Sequence, residues 1–427
     1  MSTAMLGLGL LILAASLFTA LFRRTGIPDV LLLIGVGLLL GQTTGLISPA
    51  DFGKLGGLMS TLALVLILFE GGLSLSLDVL ATALGQTLGL VLLGFASTAV
   101  IVWGFGTYAL GLAPTLAMAL GAIAGGTSSA VVIPMVKELG MGRVPETMLV
   151  LESAITDVLC IIVAGGVLAS AGSGFIAPTR IAGGVVASLV AAAGLGFAAA
   201  LAFYAAVNVV IRAMPNPMLT LLAYVFVVYG FTEALGFSGA VAALTLGFTL
   251  TNIRRLGIHR LRSFGHVAEV KIPAYVGLFL ADATFLLKTF FFVYLGISIR
   301  LADTVLVMWA AAAVLAVYAV RAAVVRAATS RATARRDAAI TAVMAPKGLA
   351  AAVLAGTPVQ MGLAGAEVAQ QFTYMVVLIS IGLTSLLVPL LRVWPVRHAF
   401  DALFRGFADG PEPGSAASDL HQRATGA

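Results

Sequence analysis

Residues 121–140 read GAIAGGTSSAVVIPMVKELG, and the reading of this stretch decides which kind of helical protein the chain can be. It is apolar enough to be buried. Yet Gly125, Gly126, Thr127, Ser128 and Ser129 fall in its middle, and Pro134 follows a little over a turn later. Glycine and proline weaken a continuous helix, and hydroxyl groups can satisfy the backbone groups that an interruption frees. Two readings are open. A helix of small residues can pack unusually close to its neighbours. A broken helix instead presents ends and carbonyls that can hold an ion. The run of five small and hydroxylated residues favours the break.

The surroundings of this stretch place it in a bilayer. Sixty per cent of the 427 residues are hydrophobic and 10% are charged, with a mean hydropathy of +1.10. A soluble domain carries about 25% charged residues. Apolar runs of membrane-spanning length recur from end to end, too long and continuous for barrel strands. Helices also satisfy their own backbone groups in lipid. The expected fold class is therefore an all-α integral membrane protein of thirteen transmembrane helices. The spans read 4–22, 27–46, 55–75, 83–110, 115–137, 146–171, 181–211, 217–235, 238–253, 284–300, 303–328, 337–358 and 369–392. The first run, Met5 to Phe22, lacks a basic leader and is followed by Arg23 and Arg24, so it reads as a helix rather than a cleaved signal.

Charge tests the count. With thirteen spans, 18 of the 24 Lys and Arg fall on one side, 3 (Lys54, Arg180, Arg300) on the other, and 3 (Lys288, Arg321, Lys347) within spans. The positive-inside rule makes the basic side cytoplasmic, with the N-terminus outside and the C-terminus inside the cell membrane. Residues 1–400 form the transmembrane domain. Within it, 254–283 is a cytoplasmic connection whose early part has the pattern of an interfacial helix. Residues 401–427 form a short cytoplasmic tail, Gly/Pro/Ala/Ser-rich in its later part and expected to be disordered.

Ionisable groups inside spans are costly and are functional candidates by default. They are Glu70, Glu152, Asp157, Glu233, Lys288, Arg321 and Lys347; the bland alternative is ion pairing that only holds helices together. The sixth span contains LESAITDVLC, residues 151–160. Asp157 lies about eleven residues, or roughly 16 Å, from the cytoplasmic start, near the bilayer midplane. Desolvation there disfavours a bare charge, so the carboxylate can hold a proton near neutral pH or a small cation in its place. A site that takes one or the other, never both, is the minimum machine for antiport. Thr156 offers a neutral oxygen beside it. Glu152 is rotated about 140° from Asp157 and sits at the depth of Arg321 in the eleventh span, so the two are expected to pair. A second interruption, Ala345-Pro346-Lys347-Gly348, lies in the twelfth span. Spans 5 and 12 correspond if spans 1–6 and 8–13 are inverted repeats around span 7. Paired interruptions at matching positions point to a transporter's binding site. Lys347 there would neutralise helix C-termini that meet at a crossing.

At these residues the sequence resembles the monovalent cation:proton antiporter superfamily, the Na⁺/H⁺ exchanger fold. The family's polar break in helix 5 is matched by Thr127-Ser128. Its acidic motif in helix 6, Glu-Ser-x-x-Asn-Asp in the electroneutral branch, is matched by Glu152-Ser153-Ala154-Ile155-Thr156-Asp157. Its helix 11 Arg is matched by Arg321. Weaker likenesses are LILFEGGLSL (66–75), TEALGFSG (232–239), FFFVYLGISI (290–299) and PKGL (346–349). Ser128 stands where many relatives carry Asp, and Thr156 where they carry Asn or a second Asp. One strong acid rather than two resembles one-for-one electroneutral exchange, whereas Lys288 resembles the helix 10 Lys of electrogenic relatives. The resemblance implies an ion- and proton-carrying site of Asp157, Thr156, Thr127, Ser128 and Ser129. Asp157 would hold the transported Na⁺ or K⁺, Glu152–Arg321 would be a structural pair, and Lys347 and Lys288 would be charges at the helix crossing. It also implies a homodimer with an elevator-like motion, and a role in pH homeostasis.

Other classes fit less well. A Kef-like potassium efflux system would need soluble gating domains or a separate regulatory subunit. An organic-anion symporter would favour basic or aromatic groups in its cavity, which Asp157 opposes. An aspartyl intramembrane protease needs two deep aspartates, so no enzyme activity is expected. The lone Cys160 and the cytoplasmic placement of His259, His266, His398 and His421 build no resident metal site, and no cofactor is expected. The net charge of +6 reflects topology, and the partner is lipid, not nucleic acid.

Overall fold

Why this sequence folds as it does follows from the bilayer: apolar runs become helices, and polar interruptions become ends that must find partners. The computed structural model describes residues 2–25, 28–45, 47–75, 77–170, 178–209, 217–253, 255–256, 274–391 and 393–409. Among these the chain is helical, with isolated β-bridges at Ala334–Ala408 and Arg405–Phe407 and no strand. The helices run in order α1 (Ser2–Thr25), α2 (Asp29–Leu38, continued by a π-turn to Thr43), α3 (Pro49–Ser74) and α4 (Leu77–Gly104, continued by a π-turn to Ala109). Next come α5 (Pro114–Ala124), α6 (Ser129–Leu139), α7 (Arg143–Ser170), α8 (Pro178–Val209), α9 (Pro217–Ala234) and α10 (Gly239–Asn252). The chain continues through α11 (Ala274–Ser298), α12 (Thr304–Ala328), α13 (Arg335–Val343), α14 (Leu349–Leu354), α15 (Gly356–Gln360), α16 (Ala366–Leu390) and α17 (Trp394–Leu403).

Among the described residues, eight segments are long and apolar enough to cross a membrane; one of them, Pro114–Val136, runs through the break between α5 and α6. Five shorter apolar helices accompany them. Leucines and valines stand exposed on their outer faces, for example Leu13, Leu92, Val100 and Leu315, as a lipid-facing surface requires.

The helices sort into two bundles by what they pack on. α4, α5, α6, α7 and α12 to α16 pack chiefly on one another; so do α2, α3, α8, α9, α10 and α11, with α1 lying on α2 and α11. Contacts between the sets are sparser and run through α7–α8, α14–α3, α16–α2 and α3–α6. Within the second bundle small residues let backbones touch. A Cβ added to Gly37 of α2 would meet Val293 O and lie 2.8 Å from Gly296 Cα of α11.

Three boundaries differ from the sequence reading. α11 begins at Ala274, so the connection expected over 254–283 is helical over its last ten residues. Its expected interfacial helix falls outside the described residues. The span read as 337–358 is three short helices rather than one. The tail expected from residue 401 stays folded to Asp409. Phe404 and Phe407 are buried against α12 and α13, Ala408 N donates to Arg331 O at 2.9 Å, and Arg335 N donates to Ala408 O at 2.9 Å. Phenylalanines that can reach an apolar seam are worth more there than in water.

Candidate functional site

Residues 125–128 leave the helix between α5 and α6, and every N–H they free is satisfied. Gly125 N donates to Ala122 O at 3.2 Å, and Gly126 N to Cys160 Sγ at 3.0 Å. Thr127 N donates to Thr156 Oγ1 at 3.0 Å, and Ser128 N to Pro346 O at 2.7 Å. Two of the four partners lie on α7, one turn apart. A third is the carbonyl of the other interruption, so the two breaks cross and hydrogen-bond to each other. Gly348 permits the crossing: a Cβ there would overlap the side chain of Ser128. At Gly126 a Cβ would stand 2.7 Å from Cys160 Sγ. The second break, between Val343 and Leu349, is fixed from α16, where Ser380 Oγ accepts from Lys347 N at 2.9 Å.

The crossing brings two helix C-termini (α5, α13) and two N-termini (α6, α14) together, with partial charges of opposite sign. Asp157 sits at the positive one. Its Oδ2 accepts from the Oγ of Ser129, the first residue of α6, at 2.6 Å. Thr127 Oγ1 and Thr156 Oγ1 are 3.3 Å apart. Ser128 Oγ is buried with no hydrogen-bond partner. Asp157, Thr127, Ser128, Ser129, Thr156 and Lys347 are all buried. Burial excludes water, so the unpaired hydroxyl of Ser128, one residue before Asp157's partner Ser129, is an oxygen with capacity left for a proton donor or a cation. Lys347 lies within electrostatic reach of Arg321 and Glu152.

Glu152, on the same helix as Asp157, is neutralised separately. Arg321 Nη1 meets its Oε1, and Nη2 meets Oε2 at 2.6 Å, a two-pronged pair with both side chains buried. Nη2 also points at Thr341 O, 3.4 Å away in α13. The pair therefore joins α7, α12 and the half-helix leading into the crossing.

Not every expected residue is here. Lys288, expected at the crossing, is bound elsewhere: Nζ meets Asp29 Oδ2 at 2.9 Å, in the second bundle. A partly buried ammonium is held by a carboxylate within reach, and Asp29 also accepts from Thr19 Oγ1 at 3.2 Å. Glu233 is exposed at the end of α9, where it accepts from Gly239 N at 2.7 Å, and Glu70 is half-buried in α3. His398 is exposed on α17 against the Trp394 ring; the other three histidines lie outside the described residues. Sequence reasoning missed Asp29, which stands in the first turn of α2. It also missed Cys160 and Ser380, whose partners belong to other helices; their only sequence signal was polarity within an apolar run.

The arrangement matches a known pattern. A family model for the transmembrane part of sodium/hydrogen exchangers fits residues 11–394. The chain belongs to the sodium/hydrogen exchanger family. It is thus a multi-pass membrane protein of a transporter family rather than an enzyme family, and membership supports cation:proton antiport. The exchanger's fold is similar to that of the sodium proton antiporter MjNhaP1 from Methanocaldococcus jannaschii. One structure, at pH 8, aligns with a TM-score of 0.72 and 19% identity over 90% of this chain and 99% of that one. A second, from electron microscopy, aligns with a TM-score of 0.72 and 20% identity over 92% and 97%.

Proposed function

We propose that this exchanger moves one monovalent cation, Na⁺ or K⁺, against one proton, with Asp157 alternately protonated and cation-bound. The observation that carries this is one buried carboxylate bonded by Ser129 at the start of α6, with the buried Oγ of the preceding Ser128 left unpaired. Glu152 is matched by Arg321, so Asp157 is the acid of α7 whose charge changes with its occupant. One acid cycling between proton and monovalent cation moves no net charge, which is the electroneutral case. Thr127, Ser128, Ser129 and Thr156 supply the neutral oxygens that would replace part of the cation's hydration shell. Lys347 offsets the C-terminal dipoles of α5 and α13.

The eight long apolar segments and five shorter ones are read as thirteen crossings, α5–α6 and α13–α15 each making one, with the N-terminus outside and the C-terminus inside. α1–α7 and α9–α16 would be inverted repeats about α8, and the working form a homodimer. A potassium:proton system with a separate regulatory subunit is the second reading. It is favoured by the absence of a second carboxylate at the break, which leaves cation choice to hydroxyls.

Purified protein in liposomes with an internal pH dye tests the proposal. Na⁺, K⁺ and Li⁺ gradients should each be tried with and without a clamped potential. We expect cation-driven proton movement that is indifferent to the clamp and abolished by Asp157→Asn. Full activity in that variant would sink the site; dependence on the clamp would sink the stoichiometry.

A further inference from the structure

A buried site that must open to two sides in turn requires part of the molecule to move, and the packing shows where this costs least. Each bundle packs on itself more than on the other. Motion between bundles leaves both interiors intact, so it falls on the segments where the backbone passes from one to the other. Two of these are framed by described residues: the α3–α4 connection, described at Leu75 and Leu77, and the α11–α12 turn from Ile299 to Asp303.

Both turns are gripped in the same way. At the first, Asn252, the last residue of α10, donates through Nδ2 to Leu75 O at 2.8 Å and accepts through Oδ1 from Leu77 N at 2.9 Å. At the second, Gln371 of α16 donates through Nε2 to Ser298 O at 3.0 Å and accepts through Oε1 from Arg300 N at 3.0 Å. In each case one carboxamide ties the carbonyl of residue i and the N–H of residue i+2. The first clamp reaches from the second bundle to the start of α4. The other reaches from the first bundle to the end of α11. Asn252 also anchors itself on Phe248 O at 2.8 Å. Gln42 Nε2 holds the intervening Ile299 O at 2.7 Å, so the second turn is pinned at three successive residues. A carboxamide offers a donor and an acceptor fixed side by side at any working pH, and this repeated grip needs both.

We propose that Asn252 and Gln371 are positioning residues for transport: they fix the points about which the bundles pivot. They set the rate of the conformational step and do not touch the cation. The proposal rests on the reading that Asp157 is exposed to each side in turn.

The test uses the isosteric variants Asn252→Asp and Gln371→Glu in the full-length protein in liposomes. Each keeps the acceptor for Leu77 N or Arg300 N. As a carboxylate it loses the donor and turns an oxygen on the carbonyl. As a carboxylic acid it regains an O–H donor. We expect turnover about tenfold below wild type at high pH, KM for Na⁺ within about twofold of wild type, and a deficit that closes as pH falls when compared with wild type at the same pH. Wild-type turnover at every pH would overturn the proposal. So would a pH-independent deficit, which marks a general lesion, or a deficit carried by KM. Hydrogen exchange gives an activity-free reading: the amides of Leu77 and Arg300 should exchange faster in the variants at high pH, and unchanged protection would also overturn it. Asp157→Asn, run in parallel, separates the two ideas, because its retained activity would refute the ion site without changing the exchange result at the turns.

Discussion

Glu152 and Asp157 share one helix, are both buried, and have opposite prospects. Glu152 faces a guanidinium that meets both its oxygens, whereas Asp157 faces the hydroxyl of Ser129 at a helix N-terminus. That difference was legible from the five-residue spacing and the matching depth of Arg321. Depth along two helices constrains which charges can meet. Asp29 was not legible, because the same argument gives no depth to a residue in a span's first turn, and its partner Lys288 lies 259 residues away in sequence. Arg321→Ala would leave Glu152 buried without its partner. We expect a loss of about 3–5 kcal/mol, seen as a lower unfolding temperature in detergent, while KM for the cation in protein that stays folded is unchanged. An unaltered melting temperature with a shifted KM would contradict the structural role. Restoring neutrality with Glu152→Gln in the same chain should recover part of the loss.

At the scale of elements, composition located both interruptions but not how they fit. Gly, Thr, Ser and Pro within an apolar run indicate that a helix ends. They do not say that Ser128 N will find Pro346 O, because that bond depends on the placement of two helices far apart in sequence. The three short helices at 335–360 escaped for a related reason. Pro346 and Gly348 mark the first of their breaks, but the neighbours that hold it, such as Ser380 on α16, are not legible in the local sequence. Gly348 lies against Ser128 at the tightest point of the crossing. Gly348→Ala should force the half-helices apart, at a cost of about 1–3 kcal/mol, and exchange in liposomes should fall sharply. Adding Ser128→Gly to that variant removes the obstructing side chain and should raise the melting temperature again; if the double variant melts no higher than the single one, the clash is not the cause.

For the molecule as a whole, hydropathy gave the class and charge asymmetry suggested the handedness of insertion. Neither reports how helices group, since all apolar faces look alike to a pattern of residues. The division into two bundles emerges only from packing. The C-terminal strap was likewise missed, because a tail rich in small residues gives no hint that Phe404 and Phe407 will seat against α12 and α13. Arg331 caps the Phe407 ring with its guanidinium carbon 4.7 Å from the ring centre, which fastens the strap from outside. Phe404 is fully buried, so Phe404→Ala should cost about 3–5 kcal/mol and lower the melting temperature; an unchanged value would mean that the strap contributes nothing to the fold.

Cys160 receives the N–H of Gly126 at the heart of the crossing, is buried, and is the only cysteine in the chain. The protein thus carries a chemical reporter in place, with no competing thiol to remove. Any reagent that alkylates it must have entered the space beside Asp157. The side of the vesicle from which a charged, membrane-impermeant alkylating agent succeeds therefore names the direction in which the unmodified transporter stands open. The dependence of that labelling on Na⁺ or pH would report occupancy in the same native chain.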